Sequence, residues 1–304
     1  MRLTIENDFY VTLDVGGSFV KAALLSSEYE VVAGSFSNTP IDTSGPSKQV
    51  IDTIIAVIAE KFRIVKAFGE VKAIGLCFPE FSDYSKGTIA MMKDKFQQCC
   101  GIVLRDEIIN GLRLSPDFQI VFEEDSLAFM RGALRRGKAE AYDRIIGLTL
   151  GTGLGSAFME KGKIIRNAPG VPPDGELGCL PLKGGIIEDI ISIKGILRIY
   201  RGISRKPEND VKTIALQAQK GDAAAMRSFD EFGKTMGQIL KKYVEDFRAE
   251  CIILGGQIAK SFELFATPLR SELSGVVSLQ EIVPAASINF SSFYGLLSMI
   301  KDVR

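Results

Sequence analysis

Three stretches of this chain carry the residue types that phosphate and proton chemistry need. In Leu13-Asp14-Val15-Gly16-Gly17-Ser18-Phe19-Val20-Lys21, an apolar strand ends in an aspartate and two glycines, and a second strand brings a lysine. Glycines that take positive φ let backbone N–H groups come close to a ligand. An aspartate at the mouth of such a turn suits a hydrated magnesium ion, and Lys21 adds a positive charge. Together they suit a nucleotide's phosphate tail, although a plain glycine hairpin has the same composition. Leu150-Gly151-Thr152-Gly153-Leu154-Gly155 repeats the pattern between two further strands. The third stretch is Glu123-Glu124-Asp125, between an apolar strand and a helix. A strand-end aspartate there serves as a general base, or as the cap of the helix that follows.

The base has to be a carboxylate, a lysine or a cysteine, because the 304-residue chain has no histidine. Lys plus Arg and Asp plus Glu stand at 37 each, so no nucleic acid or anionic membrane is implied as a partner. At 46% hydrophobic and 24% charged residues, the composition is that of a globular protein with a substantial core. The five cysteines, Cys77, Cys99, Cys100, Cys179 and Cys251, show no C-x-x-C spacing, which points to a reducing compartment. No apolar run reaches membrane-span length and the start, MRLTIENDFY, lacks a signal pattern, so the expected location is the cytoplasm.

The elements that must position these residues alternate in type. Strands are expected over 9–13, 19–25 and 30–36, an amphipathic helix over 48–68 and a buried strand over 71–77. Residues 80–100 read as irregular and polar. A helix over 105–112, a strand over 118–122 and a helix over 126–137 follow, with Arg131, Arg135, Arg136 and Lys138 as a solvated helix end. A strand over 144–149 opens the second glycine turn. A Pro/Gly-rich loop over 167–185 contains Gly175-Glu176-Leu177-Gly178, and helices span 186–200, 210–220 and 223–247. A strand over 251–254 ends in Gly255-Gly256, where backbone leaves room for a planar base or ribose, and a helix starts near residue 259. A last strand covers 281–283 and a terminal helix 292–301. The order is that of an α/β protein. VTLDVGGSFVKAALL and IGLTLGTGLGSAFM form a weak repeat, with Thr12-Leu13 matching Thr149-Leu150, which implies two related halves, each offering one hairpin to a single triphosphate.

Taken in order, LDVGGSFVKAAL, EEDSLAFMRGAL, LTLGTGLGSAF, PDGELG and ILGGQIAKS resemble the ROK (repressor/ORF/kinase) family of sugar kinases and repressors, over essentially the whole chain. The resemblance implies two related α/β domains of the actin-like ATPase (ribonuclease H-like) fold with an interdomain cleft. The smaller domain would hold residues 1–115 and the terminal helix, about 291–304, and the larger one residues 116–290, with hinges near 113–117 and before that helix. ROK repressors carry a helix-turn-helix ahead of the first hairpin, and this chain has no room for one there, which favours a kinase. Asp14, Gly16, Gly17, Ser18 and Lys21 would form the first phosphate loop, with Asp14 near Mg2+. Gly151, Thr152, Gly153 and Gly155 would form the second, Gly255 and Gly256 the adenosine pocket, and Asp125 the base that deprotonates a sugar hydroxyl. ATP and Mg2+ are the implied cofactors, a small sugar the partner, and a homodimer the expected assembly.

The chain also departs from the family. Glu124 stands where ROK kinases have an asparagine that binds sugar, so two adjacent carboxylates would raise one another's pKa and favour a donor-rich or amino-bearing acceptor. The family's histidine after G-E-x-G is Cys179 here, and the cysteine-rich zinc loop is reduced to Leu182-Lys183-Gly184-Gly185-Ile186-Ile187, so no structural zinc is expected. Glu176 and Glu188 remain as acceptors for sugar hydroxyls. The expected activity is ATP-dependent phosphorylation of glucose or a related aldohexose. The alternatives are an amino sugar such as N-acetylmannosamine, fructose, an actin- or acetate-kinase-like ATPase that takes no sugar, or a non-catalytic sugar or nucleotide sensor.

Overall fold

The hairpin carrying Asp14 pairs β1 (Asp8–Val15) with β2 (Phe19–Ser26) in antiparallel register, with Val15 opposite Val20. The structure is a computed structural model, and it describes residues 8–92, 95–135, 141–182, 184–205 and 207–302. The N-terminal decapeptide up to residue 7, Arg136, Lys138 and Lys183, all named above, lie outside the described residues.

Each half of the chain forms one five-stranded mixed sheet. In the first, β3 (Ser37–Pro40), β2, β1, β4 (Glu70–Phe78) and β7 (Gln119–Glu124) lie in the order β3-β2-β1-β4-β7. Between β4 and β7, β5 (Phe81–Asp83) and β6 (Thr88–Ile89) make a small hairpin within the stretch read as irregular. In the second, β8 (Arg144–Leu150), β9 (Leu154–Glu160), β10 (Lys163–Ile165), β13 (Cys251–Gly255) and β14 (Glu281–Pro284) lie in the order β10-β9-β8-β13-β14. The two sheets share one plan: an antiparallel hairpin with a third strand on its outer side, and two parallel strands on its inner side. The repeat read from the sequence is real, but its register moves by two residues. Val15 and Leu150 each close a turn, so Asp14 matches Thr149, where Thr12 was expected to.

Alternation along the strands sorts the first sheet's faces. Val11, Leu13, Leu24, Leu76 and Phe122 point to α1 (Ser47–Val65), which buries Val50, Ile54, Val57 and Ile58, and to α2 (Leu104–Leu112). Tyr10, Ala23 and Ala73 point to α9 (Ser291–Asp302), which buries Phe293, Leu297 and Ile300. There α9 crosses α3 (Asp125–Arg135) at backbone contact. A Cβ on Gly132 would sit 1.7 Å from the Ser291 carbonyl oxygen, and one on Gly295 1.9 Å from that of Ala128. The second sheet packs Ile146, Leu148, Leu150 and Phe158 against α4 (Ile193–Ser204), α5 (Val211–Gln219), α6 (Ala223–Phe247) and α8 (Ala266–Leu273).

Two compact units result: Met1–Gly132 with Phe290–Arg304, and Ala133–Asn289. The boundary falls at 132/133, not 115/116, because β7 hydrogen-bonds to β4 and draws the start of α3 into the first unit. The expected strand over 30–36 reduces to a single bridge between Leu25 and Val31. The third strand is instead Ser37–Pro40, a polar edge strand ending in a proline. The helix expected over 186–200 starts only at Ile193. Before it come β11 (Pro181–Leu182) and β12 (Gly185–Ile186), a small hairpin where the zinc loop would stand, and a short 3-10 turn, Ile187–Asp189. No helix among the described residues is long and apolar enough to cross a membrane.

Candidate active site

At the C-terminal ends of the first sheet's parallel strands, one row of paired residues runs Lys21–Asp14–Cys77–Glu123 across β2, β1, β4 and β7. Ligands of open α/β sheets gather at these strand ends. The Lys21 ammonium lies 3.0 Å from Asp14 Oδ2. Burial works against that ammonium, but the charge and hydrogen bond of Asp14 outweigh it and hold its pKa above the ordinary 10.5. Glu123 is buried and meets Arg131 Nε at 3.2 Å, so Arg131 is a site-side partner rather than part of a solvated helix end. Burial, then Asp14 and Asp125, push the fully buried Cys77 thiol well above its usual 9.0, which leaves it an inert neutral group.

Asp125 follows this row as the first residue of α3. Burial first, then the charges of Asp14 and Glu124, raise its carboxyl from 3.8 to about 7. Lys95 and the backbone N–H of Ser126 pull the other way. The carboxyl is therefore poised to exchange a proton near neutral pH, as a general base requires. The expected mutual effect of the two carboxylates is present, with Glu124 acting on Asp125. Glu124 itself accepts a hydrogen bond from Ser126 Oγ at 2.5 Å.

The turn after Asp14 is closed by Gly16 N–H donating to Phe19 O at 3.0 Å, and Ile41 N–H donates to Ser18 O at 3.0 Å. Positive φ is not what makes these residues glycine, since neither Gly16 nor Gly17 adopts it. At Gly17 a Cβ would lie 3.4 Å from Lys95 Cδ, an ordinary van der Waals contact, so the turn brings the Lys95 side chain against its backbone. Gly17 and Ser18 are exposed at the tip. The sequence reading missed Lys95, because it lies in no motif and reaches the turn only through the fold.

In the second unit, Gly151 N–H donates to Gly153 O at 3.0 Å, and neither residue takes positive φ. Thr152 is exposed and Gly155 partly buried. Glu188 reaches back to this turn: its Oε2 accepts from Leu154 N–H at 2.9 Å and would lie 2.5 Å from a Cβ on Gly153. Expected to bind a sugar hydroxyl, Glu188 is thus engaged with the glycine turn. The loop carrying Glu176 is fastened to the same place. Ser156 Oγ donates to Gly175 O at 2.6 Å and accepts from Leu177 N–H at 2.8 Å, and Glu188 N–H donates to Gly178 O at 3.0 Å. Glu176 is half-buried and Cys179 exposed beside it.

Gly255 ends β13 opposite Thr149, and Gly256 begins a short helix, α7 (Gly256–Ala259), three residues earlier than expected. Gly256 has φ of 80°, and a Cβ there would lie 2.3 Å from Leu150 O, so this position admits only glycine. Beside it opens a cavity of about 500 Å³, lined by Asn209, Asp210, Val211, Gln257, Ile258 and Ser261 among others. Its size suits a nucleoside.

Comparison with known proteins identifies the family. The ROK family model matches residues 10–302. The glucokinase of Thermotoga maritima is 24% identical over 96% of this chain and 97% of its own length. The N-acetyl-D-glucosamine kinase of Haemophilus influenzae is 22% identical, covering 82% and 84%. A ROK family glucokinase from Streptomyces griseus, solved with glucose and AMPPNP, superposes with a TM-score of 0.76 at 21% identity, over 97% of this chain and 99% of that one. With a family model matched over nearly its whole length, and the actin-like ATPase fold of ROK kinases in both its sheets, the chain belongs to the ROK family.

Proposed function

We propose that this protein is an ATP-dependent sugar kinase, acting on glucose or a related aldohexose, with Asp125 as general base. The observation that carries the reading is the Asp125 carboxyl, raised to about 7 at the C-terminal edge of a sheet that also presents Asp14 and Lys21. The names of its relatives support the reaction class, and several of them are glucokinases.

Asp125 accepts the proton of the acceptor hydroxyl as that oxygen attacks the γ-phosphorus. ADP leaves with the bridging oxygen. The glycine turns at Gly16-Gly17 and Gly151–Gly155 are the candidate phosphate-holding elements. The cavity beside Gly256 takes the adenosine. Among the described residues no cluster of three metal-binding side chains exists, so Mg2+ would be held by phosphate oxygens and water with Asp14 as its protein carboxylate. This donor set fits the ion, which keeps most of its water and binds through one or two carboxylates plus substrate phosphates. Bound there, it neutralises charge that develops on the phosphates. Lys21 holds the Asp14 carboxylate in place for that task.

Amino sugars are the second acceptor class, favoured by Glu124. A second carboxylate beside the base accepts hydrogen bonds from an amide or amine, and amino-sugar kinases are among the relatives. Release of ADP with glucose, mannose, fructose, N-acetylglucosamine and N-acetylmannosamine, for the wild type and Asp125→Asn, tests the whole reading. Sugar-stimulated turnover in the wild type alone is expected. No stimulation by any of these sugars would refute the kinase, and full turnover in the variant would refute the base.

A further inference from the structure

Lys95 stands in a fixed place that no motif explains. The next residue, Phe96, is fully buried, with its ring centroid 4.5 Å from that of Phe78, and it holds a left-handed backbone with φ of 54°. A bulky residue keeps that conformation only where its surroundings enforce it. Phe96 N–H donates to Thr43 O at 3.0 Å, and Thr43 Oγ1 donates to Gly17 O at 3.3 Å. A core anchor and a two-step hydrogen-bond chain therefore tie the Lys95 backbone to the first glycine turn.

The Lys95 side chain then runs over Gly17, with its Cδ 3.4 Å from where a Cβ would be. It is half-buried and, among the described residues, has no ion-pair partner, whereas Lys21 is held by Asp14 at 3.0 Å. Its charge nevertheless acts on Asp125, which it draws toward the ionised form. Among the described residues, the site's cations Lys21 and Arg131 are each paired with a carboxylate, at 3.0 Å and 3.2 Å, whereas Lys95, beside the first glycine turn, is left for a ligand.

We propose that Lys95 is a further catalytic residue, whose ammonium contacts the phosphoryl group in transfer. This rests on the kinase reading. As the bond from the γ-phosphorus to the β,γ-bridging oxygen breaks and the bond from the acceptor oxygen forms, the hydroxyl proton passes to Asp125 and ADP departs. Charge spreads over the three equatorial oxygens of the group in flight. Lys95 donates N–H bonds to those oxygens. Its position beside Gly17 matches a contact made at the terminal phosphate rather than at the nucleoside.

The test compares wild type, Lys95→Met and Lys95→Arg. With the best acceptor of the sugar panel, Lys95→Met should lose about 100-fold in kcat, the scale of one lost transition-state donor, with the sugar KM nearly unchanged. Lys95→Arg should recover most of that loss. Calorimetry on the same proteins, with AMPPNP and with ADP, reads the contact without turnover. Lys95→Met should weaken AMPPNP about tenfold and leave ADP unchanged. Equal weakening of both nucleotides, or an unchanged kcat in Lys95→Met, would overturn the assignment. Should no sugar stimulate the wild type, the kinase reading falls, while the AMPPNP-to-ADP comparison still decides whether Lys95 meets a terminal phosphate.

Discussion

Replacing Asp125 with asparagine should make the protein more stable at pH 8 while abolishing its activity. A carboxyl that titrates near 7 in the folded protein and at 3.8 in the unfolded chain disfavours the charged folded form. The full difference is worth about 4 kcal/mol, and solvent reaching part of this group reduces it to about 2 kcal/mol. The sign follows from linkage. Because the folded value lies above the unfolded one, the residue's favourable contribution is complete below about pH 3.8 and is lost as pH rises through about 7. Asparagine caps a helix as well as aspartate does, so the substitution keeps whatever capping Asp125 provides to α3. At pH 8 the melting temperature of Asp125→Asn should exceed that of wild type by about 3 °C, and the gap should close as pH falls toward 4. If Asp125 were only a cap, the sign would reverse: a charged aspartate at a helix N-terminus gains about 0.3–1 kcal/mol from the dipole, which asparagine forfeits. Circular dichroism melts of both proteins from pH 4 to 8 separate the two cases. An equal or lower melting temperature for the variant at pH 8 would refute the argument from burial.

Other expectations follow from the same geometry. Since the base must be ionised to accept a proton, kcat/KM of the wild type should fall about tenfold per pH unit below 7 and level off above it; a profile flat down to pH 5 would contradict the raised carboxyl. Glu188→Ala leaves the Leu154 N–H without its partner, at a cost of about 1–3 kcal/mol in stability, and loosens the second glycine turn. Its KM for ATP should rise more than its KM for sugar, and a rise confined to sugar would restore the hydroxyl-acceptor role to Glu188. Metal analysis of the purified protein should find zinc far below one atom per chain, because Cys179 stands in the segment without a second cysteine; stoichiometric zinc would refute this.

The parts of the site that sequence made legible are those whose chemistry and structure are local. Asp14 and Lys21 lie seven residues apart and face each other across one hairpin, and Asp125 follows its strand directly, so type and spacing sufficed. Glu188 was legible as a candidate, but its partner lies 34 residues away in chain order, and only the folded loop shows the carboxylate on Leu154. Lys95 was hidden for the same reason: the residues that fix it, Thr43, Phe78 and Gly17, come from three separate stretches of the chain. The third strand was misplaced because Val31 and Val32 have the apolar content of a strand, whereas the true edge at Ser37–Pro40 is polar, as an unpaired edge tends to be. The place of Gly132 in the first unit depends on its contact with Ser291, across more than half the chain.

The duplicated sheet carries two kinds of surface on one plan. By strand register, Lys21, Asp14 and Cys77 correspond to Gly155, Thr149 and Gly255. In the first unit this row holds an ion pair and continues to the buried Glu123, next to the carboxyl raised to about 7. A charged row of this kind is suited to cations and proton transfer. In the second unit every counterpart is small and uncharged, so the backbone itself forms the surface, and Gly256 stands so close to Leu150 O that no side chain fits. A surface of bare backbone is suited to a nucleoside and to phosphate oxygens that meet N–H groups. Two substitutions put this division to work as a claim about the fold. Thr149→Asp should weaken binding of AMPPNP by placing a like charge where the turn meets phosphate, whereas Asp14→Thr should lower kcat and the Mg2+ dependence of turnover; a variant pair with the two effects exchanged would show that the charged row does not carry the chemistry.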